Sequence, residues 1–381
     1  MGWKSTQADQ VKVLIGMPAP DSLGGPISSE PPFVEALRGK DLDVVTSVYV
    51  YGDKLTPTPF IQRVIRVLRT AFRFRRLVRK HRPSVLFLNS AFDRRTLMRD
   101  VVSIFIMRPG NARVFIKLHG SMAEEFSNAG PFFRLLIKYL QQNVSGWGYH
   151  TREELEAFIR LGFDRAKFFP VRNAITIDKD VIANQARQQK DSDKIFELLF
   201  VARFVPTKGL LPTIQACEEL RRRGVRFRLT CVGDGETRRD AEDAVGRFGL
   251  GRVVTFTGLL PETKVVLELL RADILVFPTS HPEGFPNALF RAVTVGLPIV
   301  TTRIRAAADY LSEPENCLYC TTDPANIADR IEGLIADKNM REQMSVLNIQ
   351  YGQTLTPEKI AEEFYEIFRN MLGDTYRNDT N

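Results

Sequence analysis

The sequence Phe277-Pro-Thr-Ser-His-Pro-Glu-Gly-Phe-Pro-Asn-Ala-Leu-Phe-Arg291 leaves an apolar segment, passes through a turn containing Pro and Gly, and enters a segment of helical character. This order predicts a buried strand, a loop and a helix, which is the repeating unit of a parallel α/β sheet. Pro286 is expected at the first helical position, where its missing N–H costs no hydrogen bond. The amides of Asn287, Ala288 and Leu289 then lack acceptors within the helix, so this helix start is predicted to bind an anion.

The same alternation of apolar and helical segments continues in both directions along the 381 residues. Short runs rich in β-branched and aromatic residues predict strands. The predicted strands are 11–17, 44–50, 85–88 and 114–118 in the first half and 196–202, 227–232, 253–256, 274–277 and 297–301 in the second. The helices predicted in the first half are 60–82, 96–107, 131–142 and 151–161.

A polar segment without an apolar run, 176–194, is interpreted as a linker. The sequence therefore predicts the α/β class with two Rossmann-like, doubly wound domains, 1–175 and 195–356. The C-terminal helix 357–381 is a candidate for completing the first domain. Because ligands of open α/β sheets bind outside the carboxyl ends of the strands, we expect an interdomain cleft to hold the site.

The composition is that of a packed globular protein, with 44% apolar and 26% charged residues. No apolar run reaches the length of a membrane-spanning helix, and the first ten residues lack the apolar core of a secretory signal. These features predict a cytoplasmic protein. The four cysteines, Cys217, Cys231, Cys317 and Cys320, are expected to be reduced, and their spacing does not form a zinc site.

Positive charge is concentrated in one segment. The chain carries a net charge of +8, yet ten basic residues and no acid lie between Lys54 and Phe92, and the rest is close to neutral. Such a patch predicts an anionic partner, either a membrane surface or a nucleic acid. Only Phe72 and Phe74 interleave with these cations and no nucleic-acid-binding motif accompanies them, so the membrane is favoured.

The predicted helix 60–82 is both basic and amphipathic. Its apolar residues at helical spacing are expected to cover the sheet, which would leave only the basic flank for lipid. The apolar residues are Ile61, Val64, Ile65, Leu68, Ala71 and Phe72. The predicted membrane-binding residues are Arg63, Arg66, Arg69, Arg73, Arg76 and Lys80.

Further candidate site residues follow predicted strands. Arg203 and Lys208 come after strand 196–202, and a guanidinium with an ammonium suits a diphosphate. Glu283 lies just before the predicted anion-binding helix start. Gly24 and Gly25 follow the first strand and would allow close approach of the backbone to a ligand. His119 follows strand 114–118 and could donate to a substrate hydroxyl.

Two familiar nucleotide-binding motifs are not supported. Gly233-Asp-Gly235 begins like a dinucleotide-binding loop, but Arg238 stands where the third glycine is needed. The chain also has no Gly-x-x-x-x-Gly-Lys-Ser/Thr phosphate-binding loop.

Several motifs together resemble glycosyltransferase family four, which uses nucleotide-activated sugars and has two Rossmann-like domains in the arrangement called GT-B. The resemblance is specific over about 195 to 335 and looser in the first domain. It rests on Leu199-Phe-Val-Ala-Arg203 with Lys208-Gly209, Cys231-Val-Gly-Asp-Gly235, Val254-Thr-Phe-Thr-Gly258, Glu283-Gly-Phe-Pro-Asn-Ala-Leu289 and Gly296-Leu-Pro298.

The resemblance implies a role for each matched residue. Arg203 and Lys208 would hold the donor diphosphate, and Glu283 would meet hydroxyls of the donor sugar. His119 would face that sugar from the first domain, and His119 and Glu283 would be the catalytic pair. The backbone from Gly258 to Leu260 would contact the base. The remaining donor-binding positions are Gly24, Gly25, Gly233, Gly284, Phe285, Pro286, Asn287, Ala288, Leu289 and Arg291.

The resemblance also implies the reaction: a retaining transfer of sugar from a nucleotide-diphosphate sugar, without a metal or other cofactor. With the basic helix, it predicts a glycan or lipid-linked acceptor in cell-surface polysaccharide synthesis and a peripheral location on the inner face of the membrane. A soluble transferase acting on small molecules, a sugar-nucleotide epimerase and a catalytically degenerate binding relative remain alternatives. A nucleic-acid binder is the alternative outside this class.

Two positions depart from the family pattern. Arg291 stands where the family has a second Glu that binds ribose hydroxyls, and a guanidinium cannot accept hydrogen bonds. The sequence therefore predicts that Arg291→Glu raises donor affinity. In addition, the segment 303–309 lacks the paired glycines that the family has after this strand.

Overall fold

The computed structural model describes residues 11–20, 25–49, 59–177 and 195–376. These residues form two compact units. Unit 1 contains the described residues up to Ala174 together with those from Pro357 onward, and unit 2 runs from Ile175 to Thr356. Most of the predicted linker, 178–194, as well as Gly24, lies outside the described residues.

Unit 1 is built on a parallel sheet of six strands in the order β2-β1-β3-β4-β5-β6. The strands are β1 (Val11–Met17), β2 (Leu42–Val48), β3 (Val85–Ser90), β4 (Arg113–Leu118), β5 (Gly146–Tyr149) and β6 (Phe168–Pro170). The helices are α1 (Gly25–Arg38), α2 (Phe60–His81), α3 (Arg94–Met107), α4 (Pro131–Asn143), α5 (Arg152–Arg160) and, from the end of the chain, α13 (Pro357–Tyr376).

Unit 2 carries a second parallel sheet, in the order β12-β11-β10-β7-β8-β9. Its strands are β7 (Phe196–Val201), β8 (Phe227–Val232), β9 (Val254–Gly258), β10 (Ile274–Phe277), β11 (Ile299–Thr302) and β12 (Leu318–Cys320). Its helices are α6 (Leu210–Arg222), α7 (Arg238–Arg247), α8 (Glu262–Arg271), α9 (Asn287–Thr294), α10 (Ala306–Tyr310), α11 (Pro324–Ala336) and α12 (Lys338–Gly352). The predicted α/β class with two parallel, doubly wound sheets is confirmed.

The strand order of unit 2 reverses between β7 and β10. From β7 the chain continues outward through β8 and β9, and it then returns to the other side of β7 with β10. The strands β7 and β10 therefore lie where the strand order reverses, and ligands of open α/β sheets bind outside the carboxyl ends of the strands at such a point. The predicted site residues Arg203, Lys208 and Glu283 follow these two strands.

Three strands and, in unit 1, one helix were not predicted, and each has a physical reason. Strands β5, β6 and β12 are three or four residues long and contain no β-branched residue, whereas the equally short β10 contains Ile274 and Val276. Helix α1 contains Pro31 and Pro32, which in sequence indicate an irregular segment. It is held in place by Phe33, Val34 and Leu37, which are buried against unit 1.

The C-terminal helix α13 packs on the sheet of unit 1. Phe364 is fully buried, with its ring 4.7 Å from that of Phe33 and 5.6 Å from that of Phe87. Phe368 is also buried and contacts Phe87 and Phe115. Tertiary contact with strands more than 240 residues away thus settles where this helix belongs, a question that its sequence leaves open.

We expect Phe364→Ala to destabilise unit 1 by about 3–5 kcal/mol, because it removes a buried aromatic ring and leaves a cavity among four others. Urea unfolding followed by tryptophan fluorescence measures this, since Trp147 is fully buried in the same sheet. Tyr365→Ala on the neighbouring, half-buried position is the control. Equal losses for the two variants would contradict the packing of α13 on this sheet.

Candidate functional site

Lys208 and Glu283 form the centre of the candidate site in unit 2. The Lys208 ammonium donates to Oε1 of Glu283, although the two residues lie 75 positions apart in sequence. Both side chains are mostly buried, with 9% and 17% of their surfaces exposed. The structure therefore brings the predicted phosphate-binding lysine into direct contact with the predicted sugar-binding carboxylate.

The backbone fixes this contact. The carbonyl of Thr207 accepts hydrogen bonds from the amides of Ser280 and His281, at 2.8 and 3.1 Å, and from the hydroxyl of Thr279 at 3.2 Å. These bonds tie the loop after β7 to the loop after β10. Because they involve residues adjacent to Lys208 and close to Glu283, they hold both side chains at one end of the sheet.

Gly209 allows the two loops to approach so closely. It adopts φ +83°, and a Cβ atom there would lie 2.3 Å from the carbonyl oxygen of Pro278. Any residue with a side chain would have to push the β10 loop away. The glycine after Lys208 is thus a steric requirement of the loop contact.

Helix α9 begins beside this contact. Pro286 is the N-cap residue and not the first helical residue, so its predicted position was wrong by one. Its carbonyl accepts the first helical hydrogen bond, from the amide of Phe290. The amides of Ala288 and Leu289 precede that bond and have no acceptor within the helix, which gives the helix start its partial positive charge. Asn287 begins the helix and is buried.

The site is strongly cationic. Burial lowers the pKa of His281, and Lys208, Arg203 and Arg305 lower it further, while Glu283 opposes them. The imidazole is therefore neutral at pH 7, beside three basic side chains and one carboxylate. An anion such as a diphosphate would balance them.

Arg305 is a site residue that sequence reasoning missed. It is buried and has φ +40° and ψ −108°, at the N-cap of α10. Arg82 and Arg108 also have positive φ, but their ψ values of 58° and 70° place them in the ordinary left-handed region. Arg305 thus holds a conformation that normally requires glycine. The missing glycine pair in 303–309 was the available signal.

Arg291 makes an ion pair that changes its expected role. Its guanidinium Nη2 donates to Oε1 of Glu262, the first residue of α8. Arg291→Glu would place two carboxylates side by side. The structure thus argues against the rise in donor affinity that the sequence analysis predicts for this substitution.

Two predicted donor-binding glycines lie where neighbouring loops of unit 2 meet. Gly233 has φ +141°, its amide donates to the carbonyl of Gly258 at 3.0 Å, and a Cβ atom on it would lie 1.9 Å from the carbonyl oxygen of Ala202. Gly258 ends β9 with φ +73° and leads into Leu260 and Pro261 at the start of α8. Gly233 is therefore required by packing of the protein itself.

The other predicted residues of the 283–289 segment pack inward. Phe285 stacks on Phe290 with ring centroids 3.8 Å apart and contacts the edge of Tyr310. Gly284 and Leu289 are buried, and Ala288 is half-buried. Any contact of Phe285 or Leu289 with a ligand would accordingly use the backbone.

In unit 1, His119 is part of a buried polar network. Its Nε2 lies 2.6 Å from Oδ1 of Asn89, whose Nδ2 donates to the carbonyl of Gly16. Since Oδ1 can only accept, Nε2 carries the proton of the neutral ring and donates it to Asn89. Burial and then the positive charge of Lys117 hold the pKa of His119 well below its usual value. The Nε2 proton expected to reach a substrate hydroxyl is thus engaged within the protein.

Sequence reasoning also missed the charged pair close to His119. The Lys117 ammonium donates to Oε1 of Glu30 at 2.8 Å, and both side chains are almost fully buried. Oε1 of the same carboxylate lies 3.9 Å from Nε2 of His119. Both Lys117 and Glu30 looked like ordinary strand and helix residues, because burial of a charge has no local sequence signal.

Gly25, another predicted site residue, begins helix α1, and its carbonyl accepts a hydrogen bond from the hydroxyl of Ser28.

The apolar stripe of α2 does not cover the sheet, which corrects the sequence-based expectation. Ile61 is 71% exposed and Phe72 is 56% exposed, and Val64, Ile65 and Leu68 are exposed as well. The helix instead buries Thr70, Ala71, Phe74 and Val78. Phe74 and Val78 were not in the predicted stripe, and they are brought inward because they continue the face of Ala71 at helical spacing.

The neighbouring helices extend this exposed surface. Helix α3 contacts both α2 and α4. It exposes Phe105, and α4 exposes Phe132 and Leu135. We call these residues, with the exposed apolar residues and cations of α2, the basic–apolar surface.

The cations of α2 differ in their surroundings. Burial lowers the pKa of Arg75, and the charges of Arg79 and Arg108 lower it further, which shows that α2 and the end of α3 share one positive region. Arg73 donates to the carbonyl of Val48, so one N–H group of its guanidinium is bound within unit 1.

In the described part of the chain, no helix is long and apolar enough to cross a bilayer.

The cationic residues of unit 2 follow strands of a parallel sheet, at the carboxyl edge where open α/β folds bind their ligands. Residues 181–347 match the sequence model of the family described as glycosyl transferases group 1. The matched region covers most of unit 2.

Similar proteins agree with this match. WcaL of Escherichia coli, named as a colanic acid biosynthesis glycosyltransferase, is 31% identical over 156 residues, 40% of this chain and 34% of WcaL. CapM of Staphylococcus aureus, a capsular polysaccharide biosynthesis glycosyltransferase, is 26% identical over 178 residues, 46% of each protein. The chain thus spans about a third to a half of these relatives.

Similarity to solved structures extends over nearly the whole chain. The crystal structure of Anabaena HepE in complex with UDP-glucose has a TM-score of 0.70 and covers 94% of this chain and 100% of HepE, at 17% identity. At this identity the likeness shows the fold.

We expect Arg305→Gly to be more stable than Arg305→Ala by about 1 kcal/mol, because glycine adopts φ +40° without strain. Both variants lose the guanidinium, so their difference isolates the backbone. The free energy of unfolding in urea measures it.

Asp243, exposed in the middle of α7, is the control position. There alanine should exceed glycine in stability by about the same amount, since helix propensity favours alanine. The same order of stability at both positions would show that Arg305 is unstrained.

Proposed function

We propose that the protein is a metal-independent, retaining glycosyltransferase that takes a sugar from a nucleotide-diphosphate donor. The observation that carries this proposal is the contact between Lys208 and Glu283 beside the start of α9. It supports the proposal because cations, helix amides and a carboxylate within one crevice match the three parts of a sugar diphosphate.

The positive groups would stabilise the leaving group. When the bond between the sugar carbon and the phosphate oxygen breaks, the diphosphate takes the electron pair and gains negative charge. Arg203, Lys208 and the amides of α9 are fixed before the reaction, so they stabilise that charge without reorganisation. With these charges provided by the protein, the proposed site needs no metal ion.

Glu283 would orient the donor sugar by accepting hydrogen bonds from its hydroxyls. In the ligand-free protein the carboxylate contacts Lys208. The phosphate of a bound nucleotide sugar would accept hydrogen bonds from the remaining N–H groups of the same ammonium. Lys208 would then contact both the phosphate and the carboxylate that binds the sugar. The acceptor oxygen would form the new bond on the face that the diphosphate leaves. Attack on that same face gives retention of configuration, and the proton of the acceptor hydroxyl would pass to an oxygen of the departing phosphate.

The acceptor is proposed to be a growing glycan or a lipid-linked sugar. WcaL and CapM, which are similar to this chain, are named for colanic acid and capsular polysaccharide biosynthesis. HepE was crystallised with UDP-glucose, so UDP is the first nucleotide to test.

We further propose that unit 1 docks on the anionic inner face of the membrane through the basic–apolar surface. Helix α2 contains no acidic residue, and its exposed apolar residues lie beside its arginines. Lipid headgroups attract each cation by about 1 kcal/mol, and the apolar side chains gain by leaving water. The exposure of the apolar stripe adds a contribution that a basic flank alone would lack.

We expect Lys208→Met to weaken UDP binding at least about tenfold in calorimetric titrations, since one charge-assisted contact to phosphate is lost. The titrations contain EDTA, and the wild-type protein should bind in its presence. GDP and ADP are titrated in parallel because the residues described do not determine the base.

Lys338→Met is the control, because Lys338 lies in the same unit and forms only a surface pair with Glu342. It should bind nucleotide as the wild type does. If none of the three nucleotides binds to the wild-type protein, or if binding requires a divalent ion, the corresponding part of the proposal is wrong.

For the membrane, we expect the protein to float with vesicles of phosphatidylglycerol and phosphatidylcholine and to stay in solution with phosphatidylcholine alone. Replacing Arg63, Arg66 and Arg69 by Gln should abolish binding at low salt. Ile61→Ser with Phe72→Ser should leave binding that high salt weakens more than it weakens binding of the wild type, because the apolar contribution is reduced and the electrostatic part is kept.

The matched control replaces Arg221, Arg239 and Arg247, three exposed arginines of unit 2, by Gln. It lowers the net charge equally and should leave flotation unchanged. Equal losses in the two triple variants would mean that overall charge, and not this surface, causes the binding.

A further inference from the structure

The two partners of the ion pair between Glu262 and Arg291 are buried to different extents. Only 11% of the Arg291 side chain is exposed, compared with 42% of Glu262. Burial lowers the pKa of Arg291, and the charge of Glu262 opposes this effect. The guanidinium is therefore the covered partner, and the carboxylate that it holds faces solvent.

This carboxylate lies next to the proposed phosphate site. Arg291 is four residues after Asn287, so it lies on the same face of α9, one helical turn or about 5–6 Å from the helix start. Helical side chains lean toward the N-terminus, which directs Arg291 back toward that start. The contact with Arg291 thus keeps Glu262 beside the helix end where phosphate is proposed to bind.

The segment before Glu262 is accessible to solvent at Leu259. Leu259 is 60% exposed, and Gly258, with φ +73°, turns the chain from β9 toward α8. Helices α8 and α9 are in contact. A carboxylate, an exposed apolar side chain and a phosphate-binding helix start therefore lie together on one edge of unit 2.

We propose that Glu262 binds the ribose of the nucleoside diphosphate by accepting hydrogen bonds from its hydroxyls, and that Arg291 positions Glu262. This inference rests on the proposed donor site. A carboxylate accepts two hydrogen bonds side by side, which suits a vicinal diol, whereas a guanidinium has no acceptor. The ribose is joined directly to the first phosphate, so a diphosphate at the start of α9 places the diol within reach of Glu262.

Calorimetric titration with UDP and with 2′-deoxy-UDP tests the assignment. The wild-type protein should bind UDP more tightly than 2′-deoxy-UDP by about tenfold, the value of one hydrogen bond to a charged group. Glu262→Gln should lose that preference mainly through weaker UDP binding. Its affinity for inorganic pyrophosphate should stay unchanged, since Glu262 does not contact phosphate.

Glu268→Gln is the matched control, because Glu268 lies on the same helix and also pairs with an arginine, Arg271, at 3.0 Å. It should keep the wild-type preference for UDP. A Glu262→Gln variant that keeps this preference would overturn the inference while leaving the proposed function intact. Failure of the wild-type protein to bind any nucleotide would overturn both.

The positioning role of Arg291 has its own readout. Arg291→Met should also reduce the preference for UDP, and the double variant with Glu262→Gln should lose no more than Glu262→Gln alone. Additive losses would show that Arg291 binds the nucleotide directly. Thermal melting of each variant confirms that it is folded before titration.

Discussion

The candidate site depends on one backbone constraint: the loops after β7 and β10 are joined at the carbonyl of Thr207. Four donors from the β10 loop converge on that oxygen, and Gly209 lets the two loops approach without a side chain between them. The strand order makes this contact possible, because β7 and β10 are neighbours in the sheet. Lys208 and Glu283 meet as a consequence of this join.

The two units differ in how their buried charged side chains are neutralised. In unit 1, Lys117 and Glu30 are buried and satisfy each other at 2.8 Å, which fixes the surroundings of His119. In unit 2, Arg203, Lys208 and Arg305 act together on His281 against the single carboxylate of Glu283. Removing one member of an internal pair of the first kind would leave an unpaired buried charge, whereas an excess of one sign at a strand edge favours a charged ligand. The strained backbone of Arg305 lies in the second setting, where strain is commonly tied to function.

Sequence reasoning succeeded where a residue's role follows from its neighbours in the chain. Strand β1 was predicted with its observed bounds, since five of its seven residues are apolar and three of those are β-branched. The segment leading to α9 was recognised from its turn and helix start. It failed for α2, where two sets of apolar residues, one ending in Phe72 and the other in Phe74 and Val78, compete for the core. Spacing alone does not decide which set is buried.

The sequence by itself determined the class of fold, the alternation of strands and helices in two sheets, and the identity of the charged residues after β7 and β10. The tertiary structure decided which of those charges meet, which apolar face of α2 stays in water, and which sheet α13 completes. The physical reason is the range of the interactions. Strand and helix patterns arise from contacts within a few residues, whereas the pairs Lys208 with Glu283, Arg291 with Glu262 and Phe364 with Phe33 join segments that are 29 or more positions apart. Only the folded chain selects such partners, because many residues of suitable chemistry are available to each.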